Sequence, residues 1–480
     1  MKEIAASEIR RIDINCKGIG LIPLQLMENA GASVARAVRT RFDHGAITVL
    51  AGTGNNGGDG FVAARHLLDY NPLILLFGRA RDIATDEARQ NWQVLQHLGA
   101  DIHEIRDSSE LRGLDADADI IIDAMLGTGV RGSIREPVSS AIRLVNASSA
   151  FVVSVDVPSG FSPDHPEQSV HADLTITFHR MKQGLSGHPE ITGEIEVASI
   201  GIPALVERFV GTGDLPPARS ATSHKGDNGR VLVIGGGAFT GAPALTALAA
   251  LRTGTDWVTV AAPRSVAEAI AGFSPNLIVH PLSGRYLMGD DLDTINALIR
   301  RHNSVVIGMG LGRESETMET VSEVILSNPG AQFVIDADAL CALRMPVQQT
   351  AIPIITPHAG EFQKLGGKVP SDIDERSELV LDFSARNHVV TLLKGNIDII
   401  SDGEQVRINR TGNAGMTVGG TGDVLAGVVG ALFARNDALA AASAGAFITG
   451  TAGDLAFLKS GYGLLATDVI ECIPEAMRRR

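Results

Sequence analysis

Asn413-Ala-Gly-Met-Thr-Val-Gly-Gly-Thr-Gly-Asp423 is followed at once by Val-Leu-Ala-Gly-Val-Val-Gly-Ala-Leu432. Four glycines, Gly415, Gly419, Gly420 and Gly422, make a backbone that can turn sharply and approach a ligand closely. Small and apolar residues recur at helical spacing beyond Asp423, which predicts a helix opening near Gly422. The N–H groups at such a helix start favour an anion, by roughly 0.3–1 kcal/mol per charge. A carboxylate beside bound phosphate therefore needs a task. The task that fits is taking a proton from a substrate hydroxyl while a phosphoryl group arrives, its charge held by the glycine N–H groups. The plainer reading, a glycine turn with Asp423 as an ordinary first-turn acid, stays open at this point.

A second copy of the tetrapeptide tests the argument. Gly211-Thr-Gly-Asp214 is followed by Leu215-Pro-Pro217. A double proline cannot continue a helix and holds the preceding residue extended, so this copy is expected to be linker.

At 480 residues the chain is long enough for two or more domains. Hydrophobic residues at 44% and charged ones at 20% describe an ordinary globular protein. A net charge of −14 argues against nucleic acid or an acidic membrane surface as partner. It leaves anionic small molecules open, because a local nest of N–H groups can outweigh the overall field. Cys16, Cys341 and Cys472 are far apart and form no C-x-x-C pair, which fits a reducing cytosol rather than a disulfide framework or zinc ribbon. The opening residues lack the apolar run of a signal peptide. The uncharged runs Val231–Leu251 and Ala438–Gly453 are expected to be buried helices, not membrane spans.

Outward from the opening motif, strands alternate with helices along the whole chain. Helices are expected at Ala5–Asn15, Leu24–Phe42, Phe61–Leu68 and Asp86–Leu98. Strands are expected at Ala46–Ala51, Leu73–Phe77, Asp119–Asp123 and Phe151–Val155, with Asp at the end of the last two. After a break between Val206 and Lys225, strands are expected at Arg230–Gly235, Trp257–Ala261, Ser304–Ile307, Gln332–Ile335, Ile352–Thr356, His388–Leu393 and Asp398–Ser401. This alternation implies parallel, doubly wound sheets with ligands at the carboxyl ends of the strands. No repeat period or low-complexity tract appears.

In the first half, Gly52-x-Gly54-x-x-Gly57 between a strand and a helix matches the dinucleotide fingerprint. The strand Leu73–Phe77 ends in Gly78-Arg79, however, with no carboxylate for a ribose hydroxyl, which weakens a dehydrogenase reading. Asn55, Asn56 and Asp59, with Asp123, Asp156 and Ser159, can supply hard oxygen ligands to a cation. Each alone reads better as a turn residue, and it is the group that points to a cation. Arg131 suits either a phosphate or solvent.

Ala51-Gly-Thr-Gly-Asn-Asn-Gly-Gly-Asp-Gly60, Asp123-Ala-Met-Leu-Gly127, Ser154-Val-Asp-Val-Pro-Ser-Gly160 and Leu26-Met-Glu-Asn-Ala-Gly31 resemble the NAD(P)H-hydrate epimerase domain. The resemblance implies that Asn55, Asn56, Gly57, Gly58 and Asp59, then Gly127, Thr128, Gly129, Val130, Arg131, Gly132 and Ser133, bind the damaged cofactor. It implies K+ on Asn56, Asp123 and Ser159, and substrate contact by Asp156. Lys182, in Thr177-Phe-His-Arg-Met-Lys-Gln-Gly184, matches the family's Lys-x-Gly element, with Met181 where proline is usual. Asp156 and Lys182 are the acid and base candidates.

In the second half, Ser223-His-Lys-Gly-Asp-Asn-Gly229, Thr240-Gly-Ala-Pro243, Gly308-Met-Gly-Leu-Gly312, Ile355-Thr-Pro-His-Ala-Gly-Glu-Phe362 and Leu393-Lys-Gly-Asn-Ile-Asp398 join the opening motif. Together they resemble the ADP/ATP-dependent NAD(P)H-hydrate dehydratase of the ribokinase-like superfamily. The resemblance implies that Lys394, Gly395, Asn396, Ile397 and Asp398, with Asn413, Ala414, Gly415, Met416, Thr417, Val418, Gly419, Gly420, Thr421 and Gly422, bind the nucleotide. Ala242, Gly310, His358 and Asp423 are assigned to the hydrated cofactor.

The expectation is thus a two-domain α/β protein. A Rossmann-like epimerase domain is expected over 1–213 and a ribokinase-like dehydratase domain over 222–480. By the same resemblance it interconverts the R and S hydrates of NADH and NADPH and dehydrates the S form with ADP, giving NAD(P)H, AMP and phosphate. Mg2+ at the dehydratase site, a cytoplasmic location and a homo-oligomer are expected, with neither nucleic acid nor membrane as partner. The alternatives are a small-molecule kinase acting on a vitamin-like alcohol and a non-enzymatic nucleotide sensor.

Overall fold

The computed structural model describes residues 3–111, 118–129, 132–217 and 219–478. The chain divides into two compact units, Met1–Glu207 and Arg208–Arg480.

In the first unit, seven strands of five residues each form one sheet: β1 Ile47–Ala51, β2 Leu73–Phe77, β3 Asp101–Ile105, β4 Ile120–Ala124, β5 Phe151–Val155, β6 Leu174–Phe178 and β7 Glu194–Ala198. Their order is β3-β2-β1-β4-β5-β6-β7, and every neighbouring pair is parallel. β1, β4 and β6 are buried along their whole length, as a parallel sheet covered on both faces requires. The chain winds outward from β1 in one direction and from β4 in the other. A crevice therefore opens at the carboxyl ends of β1 and β4, where ligands bind in such sheets.

Three of these strands escape a search for apolar runs. β3 (Asp-Ile-His-Glu-Ile) and β7 (Glu-Ile-Glu-Val-Ala) lie at the sheet edges, where charges discourage pairing with another chain. β6 alternates Thr with apolar residues. The helix expected at Phe61–Leu68 runs from Asn55 to His66 instead. Its glycines lower helix propensity, which hid its first turns. They are needed all the same: a Cβ on Gly57 would lie 1.9 Å from the carbonyl oxygen of Gly52. The helix start is thereby pressed against the exit of β1.

The second unit holds nine strands: β8 Arg230–Ile234, β9 Trp257–Pro263, β10 Ile278–Leu282, β11 Ser304–Ile307, β12 Gln332–Ile335, β13 Ile354–Ile355, β14 Val390–Leu393, β15 Asp398–Ser401 and β16 Val406–Asn409. Their order is β10-β9-β8-β11-β12-β13-β14-β15-β16. Pairing is parallel as far as β14; β14–β15 and β15–β16 are antiparallel hairpin pairs. β10 and β16 were not expected from the sequence. The switch point here lies between β8 and β11.

The helix Thr421–Phe433 opens where the glycine loop predicts, and every residue from Val424 to Phe433 is buried. Gly427 lets it approach the helix Gly241–Thr253 closely, since a Cβ there would meet the Thr246 carbonyl oxygen at 2.1 Å. The uncharged run Val231–Leu251 is not one helix but β8, a glycine turn and the Gly241–Thr253 helix. The run Ala438–Gly453 does lie in a single helix, Ala438–Ser460. By length and composition that helix resembles a membrane span, yet 67% of its most apolar window is buried inside the unit. Its alanines pack as core.

The stretch read as linker is also packed. Val210 N donates to Ile408 O (3.0 Å), and Val210 and Leu215 are buried in the second unit's core. Thr212–Asp214 makes only a short 3-10 turn, and Leu215 then turns extended ahead of the prolines. No helix start forms at that copy of the tetrapeptide.

Candidate active sites

In the first unit the β1 and β4 ends converge on a buried carboxylate. Asp123, at 0% exposure, accepts from Ser154 Oγ (2.9 Å), Ser159 N (2.7 Å), Ser159 Oγ (2.5 Å) and Met125 N (3.4 Å). Burial pushes its carboxyl up, and these hydrogen bonds oppose the rise. Among the described residues its hydrogen-bond donors are all neutral, so a buried charge is left for a cation to balance. Asn56 Nδ2 donates to Leu126 O (3.1 Å), and Ser159 Oγ reaches the same carbonyl (3.3 Å). Asn56, Asp123 and Ser159 are thus brought together with a backbone carbonyl. One carboxylate among neutral oxygens is a donor set that fits a hard cation.

Asp156 and Lys182 meet one strand further along, as a contact ion pair. Lys182 is 4% exposed, and its ammonium also donates to Phe178 O (2.6 Å). Asp156 Oδ1 accepts from Phe178 N (3.2 Å). Asp156 sits at φ +66° and His179, at the end of the next strand, at φ +65°. Side chains at such angles carry backbone strain, which concentrates at working sites. Asp59 and Asp13 face the same pair. Burial, then the Asp156 charge, holds the Asp59 carboxyl well above the usual range. Asp13 lies exposed on the helix Ala6–Gly18. It is reached by solvent yet densely surrounded, and that surrounding, opposed by Lys182, pushes its carboxyl up to about 6.

Asn55 is tied to the loop before the Asp86–His97 helix, its Oδ1 accepting from Thr85 Oγ1 (2.7 Å). Gly57 and Gly58 are buried within the helix start, and Gly127 packs beside Asn56. Thr128, Gly129, Gly132 and Ser133 are exposed; Val130 and Arg131 lie outside the described residues.

In the second unit the ends of β11 to β14 face the glycine loop. Asp336, just beyond β12 and 2% exposed, holds Lys394 Nζ at 2.8 Å. Gly308 makes this possible: it stands at φ +132°, and a Cβ there would lie 1.8 Å from Asp336 O. Lys394 reaches the helix start, its Nζ 3.5 Å from where a Cβ on Gly422 would stand. Burial alone would lower the Lys394 ammonium, but Asp336, Glu361 and Asp423 together raise it. Asp423 is pushed up to about 6, first by burial and next by Asp336, with Lys394 pulling the other way. A carboxylate so poised is a competent base near neutral pH.

The loop before the helix is built from within. Asn413 caps the turn Ala414–Thr417 by accepting from Gly415 N (2.9 Å), and its Nδ2 donates to Asp454 (2.9 Å). Asp454 also accepts from Gly412 N (3.0 Å). Met416 tucks onto Gly453 of the long helix, and Thr421 Oγ1 donates to Met416 O (2.8 Å) and Val418 O (3.2 Å). Gly419 and Gly420 then lead into the helix, whose first N–H groups have no intrahelical acceptor. Lys394–Asp398 forms the β14–β15 hairpin turn, with Gly395 and Asn396 exposed and Ile397 half-buried. The Asp398 carboxylate is taken up in closing that turn, by Gly395 N (3.0 Å) and Asn409 Nδ2 (2.9 Å).

His358 caps the helix Ala359–Lys364: its Nδ1 accepts from Gly360 N (3.0 Å), and its Nε2 faces Glu361 Oε1 (3.4 Å). Nδ1 as acceptor places the proton on Nε2. Gly310, at φ +69°, lies beside Ala242 and Phe239, so Gly310 and Ala242 share one wall. Among the described residues, no three His, Cys, Asp or Glu side chains gather as a metal cage. Mg2+ carried on nucleotide phosphates needs no such cage, only one or two carboxylates such as those near Lys394.

Asp336, Asp454, Asp13 and Glu361 were missed from sequence. Asp336 follows the rule that singled out Asp123, an acid at a strand's carboxyl end. Asp454 is the lone carboxylate in the Ala438–Ser460 helix. Asp13 carries no such signal.

A family model described as NAD(P)H-hydrate dehydratase matches residues 231–475, and one described as YjeF-related protein N-terminus matches residues 23–184. The chain is similar to the protein named Bifunctional NAD(P)H-hydrate repair enzyme Nnr from Archaeoglobus fulgidus, 45% identical with 100% of this chain and 99% of that protein covered. Its namesake from Methanothermobacter thermautotrophicus is 46% identical, with 97% and 93% covered. Among solved structures, an ADP/ATP-dependent NAD(P)H-hydrate dehydratase from Bacillus subtilis, co-crystallized with ATP/Mg2+, is 26% identical with a TM-score of 0.48, covering 55% of this chain and 93% of that one.

Proposed function

The chain belongs to the bifunctional NAD(P)H-hydrate repair enzymes, carrying an epimerase and a dehydratase domain, and we propose the following division of work between their residues. The first unit interconverts the R and S hydrates at the Asp156–Lys182 pair. The two side chains relay a proton at the hydroxyl-bearing carbon, while the Asn55–Asp59 helix start and the Gly127–Ser133 loop hold the dinucleotide. Asn56, Asp123 and Ser159 would hold K+, which would supply positive charge at this site.

The second unit dehydrates the S form with ADP. Asp423 takes the proton of the substrate hydroxyl as its oxygen bonds to the terminal phosphorus of ADP and the bond to AMP breaks. The helix N–H groups and Lys394 hold the transferring charge. Phosphate then leaves from the ring carbon, and a proton is lost from the neighbouring carbon to restore the double bond. A hydroxyl is a poor leaving group and phosphate a good one, which is why a kinase-type site can carry out a dehydration. Gly310 and Ala242 shape the wall against the hydrated ring, with His358 Nε2 as a donor nearby. Mg2+, when bound, neutralises phosphate charge. Three free cysteines support a reducing cytosol as the compartment. A homo-oligomer is part of the proposal, for sedimentation to decide.

The observation that carries the dehydratase reading is Asp423, buried at a helix start opposite Lys394. Incubating the purified chain with mixed hydrates and each nucleotide tests it. Restored nicotinamide absorbance with inorganic phosphate is expected, whereas a stable phosphorylated product would make the unit a kinase.

An ionised base is required, so dehydration is expected to rise with pH through about 6. Asp336→Asn removes the like charge that raises Asp423. The rise should then move to lower pH in a kcat/KM profile, and an unmoved profile would separate Asp336 from the site.

A further inference from the structure

Lys182 lies in a stretch without strand or helix, between β6 and the turn Leu185–Gly187. Its buried ammonium is fixed by Phe178 O and Asp156, but the backbone beneath it is held from elsewhere. Ile4 N donates to Met181 O (2.8 Å), and Gln183 N donates to Ile4 O (3.0 Å). Ile4 thus pairs with the residues on both sides of Lys182, as one rung of a parallel ladder. Glu3 extends the hold with its side chain. Its carboxylate accepts from Gly184 N (2.9 Å), Ser186 N (3.3 Å) and Ser186 Oγ (2.5 Å). Hydrogen bonds to an ionised acceptor are about twice as strong as neutral ones.

We infer that Glu3 and Ile4 form a positioning clamp for Lys182, so that the stretch ahead of the first helix is a working part of the epimerase site. The inference rests on Lys182 being the amine of that site. Glu3 touches no substrate in this scheme; it acts through the 181–186 backbone. The same stretch leads directly into the helix Ala6–Gly18, so the clamp also sets Asp13 against the Asp156–Lys182 pair. Proton relay tolerates little error, since misplacement by about 1 Å can cost 10²-fold.

The test uses the full chain, with R hydrate and S hydrate supplied separately and ADP in excess. Glu3→Gln keeps the shape of Glu3 but removes its charge and turns an amide toward N–H donors. It should lower kcat for the R hydrate about ten- to hundredfold with KM unchanged, while S hydrate turnover stays the same. Amide exchange at Gly184 and Ser186 should quicken in the same variant, and Glu3→Asp should recover part of both effects. Quickened exchange with unchanged R turnover would reduce the clamp to a structural tie and overturn the inference, as would lost turnover with unchanged exchange. Lys182→Met is the control on the underlying reading: it should abolish R turnover. Full R turnover in that variant would show that Lys182 is not the amine, a failure distinct from that of the clamp.

Discussion

Asp423→Asn is expected to end phosphate release and nicotinamide recovery from the S hydrate while R and S forms still interconvert. The substitution keeps the size and position of the side chain but removes the acceptor for the hydroxyl proton. Positioned bases contribute roughly 10²–10⁴-fold, so the loss should be of that order in kcat. Nucleotide binding should survive, because the loop 412–422 is held by Asn413, Asp454 and Thr421, none of which uses the Asp423 carboxylate. Epimerisation, followed as conversion of pure R hydrate to a mixture, should proceed at the unsubstituted rate. Loss of both activities together would contradict the assignment of the two reactions to separate units.

The mirror result is expected of Asp156→Asn. The S hydrate should remain fully repairable and the R hydrate should be stranded, with epimerisation down by about 10²–10⁴-fold. The position is constrained in a way that sharpens the test. Asparagine tolerates the left-handed φ of +66° about as well as aspartate, so the backbone has little reason to move. What changes is the ion pair: Lys182, buried, loses the charge of its contact partner, while Phe178 O remains as acceptor. Asp156→Asn therefore alters both members of the pair. Unchanged R turnover would remove Asp156 from the mechanism.

Much of this was legible in the sequence because it is written in short, local signals. Gly419–Asp423 announces a helix start through glycine freedom and the apolar period that follows, and the helix Thr421–Phe433 begins there. Asp123 could be found because an acid ended an apolar strand. What escaped depends on contacts between distant parts of the chain. Asp336 acquires meaning only once β12 and β14 lie near each other in the sheet and Lys394 reaches across β13. Asp13 belongs to the first site because a helix from the chain's start packs against it. Glu3 matters only through the loop after β6, to which nothing in the sequence ties it. The Asn55–His66 helix was misread for a local reason. Its glycines are required by close approach to Gly52, and close approach looks like loop when read one residue at a time. Gly211–Asp214 was read as linker from the prolines that follow it, which say nothing of the flanking Val210 and Leu215 being core.

The fate of one oxygen atom tests the central claim most directly. S hydrate carrying 18O in its ring hydroxyl, turned over once with unlabelled ADP, is expected to deliver the label into inorganic phosphate, because that oxygen bonds phosphorus before it leaves carbon. Label recovered in water, with unlabelled phosphate, would mean that the hydroxyl departs without being phosphorylated and that Asp423 serves no transfer.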